Sequence, residues 1–303
     1  MGMGRLLGLW ALCVSLLLGA AAVAEENPVL RELCEQGVPI PDSAPVKLPP
    51  PTLSDEMNPA AQMAAIKQIA QPYHTAEDLL RRSPVAPFAL NINPVGATGQ
   101  SKVESVDFWF VAYGSWQVVN SGEFLQSVLK VMEQENPENK LPKSLLLTPQ
   151  QLSARKIQVP ADTPELEQKW YHTTFSLFDR VQVSSTRWTA FRRLANSTTL
   201  AVKIDPRLAG DPEYPDQWRS ITRTDSDQIQ FGPPQPYVSA GFYLKATRLI
   251  EPASAMFIEC HMIFDEPRGW FGGANLLRSK LPLAVQEEVR NFRRRLSAAS
   301  HGK

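Results

Sequence analysis

The stretch from Gly241 to Leu296 constrains the fold more than any other. Met256, Ile258, Cys260, Met262 and Phe264 place apolar groups at every second residue, with Phe257, Glu259, His261 and Ile263 between them. That period is a strand, whose successive side chains leave on opposite sides. The preceding segment alternates in the same way: Phe242, Leu244 and Ala246 against Tyr243, Lys245 and Thr247. The connection from Arg248 to Ser254 is longer than a two-residue turn and predicts a hairpin with a wider loop. Glu266-Pro-Arg-Gly-Trp-Phe-Gly-Gly273 then reads as loop. Beyond it the apolar period changes: Leu281, Val285, Val289, Phe292 and Leu296 make a single stripe along a helix. A half-apolar sheet and an amphipathic helix arriving in succession must bury those surfaces on each other.

Upstream, the sequence predicts helices first and then antiparallel strands. Pro28 to Cys34 has room for about two helical turns. Pro39, Pro41, Pro45, Pro49, Pro50 and Pro51 follow, a density that forbids helix and favours extended chain. Residues 25–56 are therefore expected to be a proline-rich leader or linker, poorly ordered along the domain, and 57–303 a single α+β domain. Asn58-Pro59 starts a helix that runs to about Gln71, and Thr75 with Asp78 forms a capping box. Strands are expected at Phe88–Val95 and Val103–Tyr113, and Trp109, Val111 and Tyr113 give the second of these two covered faces. Ser121 is expected to cap a helix buried through Phe124, Leu125, Val128, Leu129 and Met132, and Thr148-Pro149 to start a short one. Trp170–Phe178, Arg180–Leu194 and Thr198–Ile204 read as a meander, with shorter strands at Trp218–Thr224 and Gln228–Phe231. Helices segregated from antiparallel strands imply α+β architecture.

Lys+Arg and Asp+Glu are equal at 31 each, which argues against nucleic-acid binding, where a basic face is the rule. Residues 1–24 carry the marks of a signal peptide: Arg5, the apolar run Leu6–Leu18, and Ala22-Val23-Ala24 ahead of Glu25-Glu26. Cleavage near Ala24 predicts a periplasmic or secreted protein and leaves Cys34 and Cys260. The pair allows one disulfide; equally, Cys260 reads as a small buried hydrophobe. No cysteine or histidine spacing suits a metal, and no cofactor motif is present.

No catalytic constellation stands out. Gly114-Ser115-Trp116 lacks the second glycine of a nucleophile elbow. Cys260 and His261 are adjacent on a strand and point to opposite sides, so they make no dyad. His172 and His261 read as ordinary strand histidines. Trp270 and Phe271, in a glycine-rich loop, are candidates for a lid or membrane-touching tip. Arg290 and Arg293-Arg294-Arg295 complement the dipole of the last helix and also suit contact with acidic headgroups. Asn196-Ser197-Thr198 fits a glycosylation acceptor in a eukaryotic secretory pathway.

The hairpin Gly241–Asp265, the turn Asp265-Glu-Pro-Arg-Gly-Trp-Phe271 and the helix Leu281–Leu296 together resemble the helix-grip ending of the START-like superfamily. That resemblance implies a curved antiparallel sheet gripping the C-terminal helix around an apolar or lipid-like ligand, with no metal or cofactor. A physical reason points the same way, because one helical stripe cannot fill the hollow of a wide curved sheet. The volume left over is a ligand site or is filled by large side chains. The expected lining is Phe110, Phe175, Leu177, Phe242, Leu244, Ile258, Cys260, Met262, Val285, Val289 and Phe292. Three roles remain open at this point: binding of a hydrophobic small molecule or lipid, a cyclase- or hydratase-like activity, and a non-catalytic adaptor role in the cell envelope.

Overall fold

A computed structural model describes residues 27–71, 74–97, 101–125, 127, 144–177, 180–224, 228–237, 239–267, 270 and 276–301. The strands are β1 (Ala89–Ala97), β2 (Ser101–Tyr113), β3 (Ser144–Leu146), β4 (Leu166–Leu177), β5 (Val181–Arg193), β6 (Ser197–Ile204), β7 (Gln217–Arg223), β8 (Ile229–Phe231), β9 (Gln235–Pro236), β10 (Ala240–Arg248) and β11 (Ala255–Pro267). They pair antiparallel in the order β1-β2-β11-β10-β6-β5-β4-β3, and β7 adds to β5 with β8 and β9 on its far side. The C-terminal hairpin thus lies inside the sheet, and β11 joins β2 over thirteen residues, Ala255–Pro267 against Ser101–Tyr113.

Helices start where the sequence offers caps. In α1 (Pro28–Glu35) the Asn27 carboxamide accepts from the Val29 and Leu30 N–H groups, 3.1 Å each. In α2 (Pro59–Ala70) Asn58 accepts from Ala61 at 2.9 Å. Capping boxes open α3 (Ala76–Leu79), through Thr75 and Asp78, and α5 (Pro149–Ala154), through Thr148 and Gln151. The short α4 (Trp116–Asn120) was not expected; Ser121 is its C-cap, and the expected helix follows it, with residues 123–125 and 127 helical and Phe124 and Leu125 buried. Most of the helix predicted after Ser121 lies outside the described residues, as do the predicted signal peptide and Phe271. The last helix, α6, is Leu276–His301. Among the described residues no helix is long and apolar enough to cross a membrane.

The two sides of the sheet are covered in different ways. On one, the helix face, Phe110, Ala112, Met256, Ile258, Ala246, Leu200 and Phe191 pack with Val285, Val289, Phe292 and Leu296 of α6. The predicted stripe is therefore the buried one. Gly114 lets α6 come close, since a Cβ there would sit 2.7 Å from Leu296 Cγ. The other side is covered by Ile66, Ala70, Ala76 and Leu79 of α2 and α3, over Trp109, Val111 and Phe257, and by residues 27–57. This is a correction to the poorly ordered leader: Val29, Leu30, Leu33, Val38, Ile40 and Leu48 are buried against Trp170, Trp188, Ala201 and Tyr243. The prolines keep the chain extended, and extended chain can lie flat across strands as a strap. Gly241 admits α1, because a Cβ there would fall 2.5 Å from Leu33 Cδ2.

Candidate functional site

The expected lining divides into three groups. Phe110, Ile258, Val285, Val289 and Phe292 lie in one filled cluster under α6, none more than 6% exposed. The Phe292 ring meets Phe110 and Phe124 edge-on at 5.2 and 5.1 Å. Phe242, Leu244 and Met262 lie next along the same strands and are half-buried, as is Phe108, which the sequence reading passed over. The register sets Phe242 against Met262 and Val202, and Leu244 against Cys260 and Leu200, so these residues form rows across the helix face. Cys260 faces the same side and is buried, and burial pushes its thiol pKa well above the usual range.

Phe175 lies apart from that group. It packs at the other end of the helix face with Val181, Val183, Ile204, Tyr237 and Trp270. Leu177 belongs to β4, but its side chain is outside the described residues. Trp270 corrects the lid expectation. It is 3% exposed, with its ring 5.3 Å from Tyr237 and 6.1 Å from Trp218. Large apolar groups in glycine-rich loops suggest tips, but here an aromatic cluster from β7 and Tyr237 gives the indole a place to bury.

Among the described residues, concavities open elsewhere. A shallow one of about 670 Å³ lies beside α5, lined by Pro149, Ser153, Lys156 and Val159. A small one of about 40 Å³ lies under the strap, between Asn27, Asp55, Arg192 and Lys245. Neither touches the expected lining. Among the described residues no group of three metal-ligand side chains comes together.

Reading across the register also shows what the helix face carries beyond apolar groups. Thr189 lies between Val202 and Lys169, and Arg187 between Ile204 and Tyr171. Glu167 pairs with Lys169 and Arg193 on this side. The apolar surface therefore runs from β2 to β6 and gives way to charge at β5 and β4 and, at one end of β2 and β11, at buried Glu104 and Glu266. The basic end of α6 is partly committed inside the fold. Arg293 is buried, donating from Nε to Val111 O at 2.9 Å, from Nη1 to Ala86 O at 2.5 Å and from Nη2 to Pro87 O at 3.0 Å. Burial lowers its pKa to about 10. Arg295 donates to Ser127 Oγ at 2.7 Å.

The strap face holds polar chemistry that composition did not reveal. His261 is buried between two carboxylates, with Nδ1 2.7 Å from Asp107 Oδ1 and Nε2 3.4 Å from Glu259 Oε2. Burial alone would lower its pKa; the bonds to Asp107 and then Glu259 outweigh that and raise it. The Trp109 and Tyr243 rings flank it at 5.2 and 4.9 Å. Glu259 also accepts from the strap, Thr52 N–H, at 2.8 Å. Lys245, register partner of Glu259, donates to Leu53 O at 2.9 Å and lies 3.1 Å from Asp55. Tyr243 Oη donates to Pro49 O at 3.0 Å, and Trp109 Nε1 to Thr52 Oγ1 at 3.1 Å. The alternation Glu259, His261 opposite Tyr243, Lys245 was visible in the sequence, and so was its separation from the apolar face. What covered it was not. Cys34 belongs to the strap, with Sγ 3.6 Å from Pro49 O, while Cys260 faces α6. No disulfide joins them, and the sheet separates them.

His172 is half-buried, with Nδ1 3.0 Å from Thr186 Oγ1, and burial followed by Arg187 lowers its pKa. Asp216 is a carboxylate shifted the opposite way from the Arg155-paired Asp211 and Glu213. Its Oδ1 accepts from Thr186 N–H at 2.6 Å, its Oδ2 is buried without a hydrogen-bond partner, and burial raises its pKa to about 7.

No protein-family model matches the chain, and no curated protein matches it. Solved structures do show similarity. The human StarD13 (DLC2) lipid transfer and protein localization domain is 11% identical, over 68% of this chain and 89% of that one, with a TM-score of 0.33. Human STARD10 is 9% identical, over 67% and 72%, with a TM-score of 0.32. An uncharacterized protein from Rhizobium leguminosarum is 8% identical, over 64% and 98%, with a TM-score of 0.29. The α+β arrangement, a wide antiparallel sheet with the C-terminal helix packed on it, stands on this chain's own strand order and on the packing of α6 on β2.

Proposed function

We propose that this chain is an exported protein that holds a hydrophobic small molecule or lipid chain between the helix face and α6. One observation carries the reading. Along single strands of that face, side chains beneath the helix are sealed, while their apolar neighbours Phe108, Phe242, Leu244 and Met262 remain half-buried. Four large apolar groups in contiguous rows on one curved surface form a wall suited to an apolar ligand. One of them, Met262, is an unbranched side chain able to repack around different shapes. The wall itself offers apolar groups and the Cys260 thiol, with Thr189 beyond Val202 and buried Glu104 beyond Val106 at its margins, which suits the hydrocarbon part of a ligand. The signal-like run before Ala24 supports export to the periplasm or medium, and exposed Arg294 with half-buried Arg290 supports transient contact with a membrane surface.

The reading is tested by native mass spectrometry of the full chain purified without detergent, with solvent extraction of the same sample. A stoichiometric lipid-sized adduct that partitions into organic solvent is expected. Clean apo protein that also takes up none of a panel of radiolabelled fatty acids, phospholipids and sterols contradicts the binding reading. N-terminal sequencing of exported protein tests the processing separately: the expected first residue is Glu25, and retention of Met1 contradicts cleavage.

A further inference from the structure

We infer that the Asp107–His261–Glu259 row is a pH-sensitive latch for the strap, in which the imidazolium holds Pro49–Asp55 on the sheet and loss of its proton loosens that stretch. Both ring nitrogens face carboxylates, Nδ1 at 2.7 Å and Nε2 at 3.4 Å, and only the imidazolium can donate to both. A neutral ring keeps one donor, and the shorter contact assigns it to Asp107. Glu259, which is 0% exposed, then faces a lone pair. Its Oε1 already has no hydrogen-bond partner. The donor left to Oε2 is the Thr52 N–H, at 2.8 Å.

The groups that face His261 are few. Asp107 comes from β2, Glu259 from its own strand, and Tyr243 and Lys245 from β10. From the strap side come Cys34, near Tyr243, and Asp55, which reaches Lys245. With the imidazolium present, His261 and Lys245 offset Asp107, Glu259 and Asp55 to a net single negative charge. Without it, one cation faces three carboxylates in a site from which the strap excludes water. A buried carboxylate short of donors is stabilised by admitting water, and here water enters only if the strap lifts. Among the described residues three further bonds that close this stretch end on the same patch, from Tyr243 to Pro49, from Trp109 to Thr52 and from Lys245 to Leu53, while Cys34 Sγ holds Pro49 O from within the strap, so loosening of residues 50–55 is cooperative.

The sign follows from linkage. His261 is raised above its ordinary 6.5, so its contribution is complete below that value and is lost as pH rises through the folded-state value. The latch is closed on the acidic side and opens on the alkaline side. The test is hydrogen exchange by mass spectrometry on the full chain, read as protection of the amides of residues 52–55, Thr52 above all, relative to α6 after correction for intrinsic exchange. Between about pH 6 and pH 9, protection of that segment is expected to fall about tenfold or more in the native protein. Glu259→Gln keeps an acceptor for Thr52 and removes the buried charge, so its protection is expected to stay level with pH; His261→Gln is expected to lack the step as well. Unchanged protection in the native protein, or an identical fall in Glu259→Gln, overturns the latch. Should His261→Gln fail to fold, NMR titration of the His261 ring in the native protein replaces it, and a ring that stays unchanged while the strap loosens is equally contrary.

Discussion

The two faces of the sheet are closed by different mixtures of chemistry. The strap face adds directional bonds to its apolar packing of Leu33, Val38 and Leu48 on Trp170, Trp188 and Tyr243: Asn27 to Ala190 O, Thr52 to Glu259, Lys245 to Leu53 O and Tyr243 to Pro49 O. The helix face is closed mainly by side-chain packing, the stripe of α6 on Phe110, Ile258 and Met256, with Arg293 as its one buried polar anchor among the described residues. Directional bonds fix one arrangement, because each bond lost leaves a buried group unmet. Packing contacts tolerate a change of partner if volume and polarity are kept. With the latch closed, the strap face is held by bonds as well as packing, and the adaptable surface is the one beneath the helix, closed mainly by packing.

Substitutions can break or sharpen this contrast. The largest effect is expected for Leu33→Ala, which opens a void between α1 and β10; by analogy with fully buried leucines it costs about 3–5 kcal/mol, measured by urea unfolding. Arg293→Met follows at about 3 kcal/mol, because Val111, Ala86 and Pro87 carbonyls lose a charged donor in a buried site. A loss well below 1 kcal/mol would show that α6 is held by its stripe alone. Asp216→Asn is expected to stabilise. The native carboxyl keeps its proton up to about 7 when folded and releases it near 3.8 when unfolded, so folding loses stability as pH rises between those values. Asparagine removes that loss, by about 2 kcal/mol or more above pH 8, and leaves acid stability nearly unchanged. Unfolding curves at both pH values check this. The smallest effect is expected for Phe242→Ala on the helix face, about 1–2 kcal/mol in ligand-free protein, since the ring is only half-buried. A Phe242→Ala loss equal to that of Leu33→Ala would mean the two faces are equally committed.

Much of the fold was legible in the sequence because it depends on local period. The alternation from Met256 to Phe264, its neighbour from Phe242 to Ala246 and the stripe from Leu281 to Leu296 each define a surface, and the structure buries them together. Caps at Asn58, Thr75 and Thr148 were equally local. The strap was not legible. Its prolines announce extended chain but not what it lies on, and its anchors pair Thr52 with Glu259 and Asn27 with Ala190, separations no window spans. The helix α4 was missed for want of a side-chain cap. At the candidate site, the identities of Phe242, Leu244, Ile258 and Met262 followed from parity. Which of them are sealed depends on where α6 ends up, and parity does not supply that. Trp270 shows the same limit, since its burial comes from Trp218 and Tyr237, distant in sequence.

The most direct test of the adaptable helix face is binding of the uncharged fluorescent probe N-phenylnaphthylamine to the full chain. Three proteins are compared: the native chain, Leu244→Trp, which fills the helix-face row, and Tyr243→Phe, one residue away on the strap face. The account predicts saturable one-to-one binding to the native protein and to Tyr243→Phe, and at least about a tenfold loss in Leu244→Trp, about 1.4 kcal/mol. Equal binding by all three, or a loss confined to Tyr243→Phe, would contradict it.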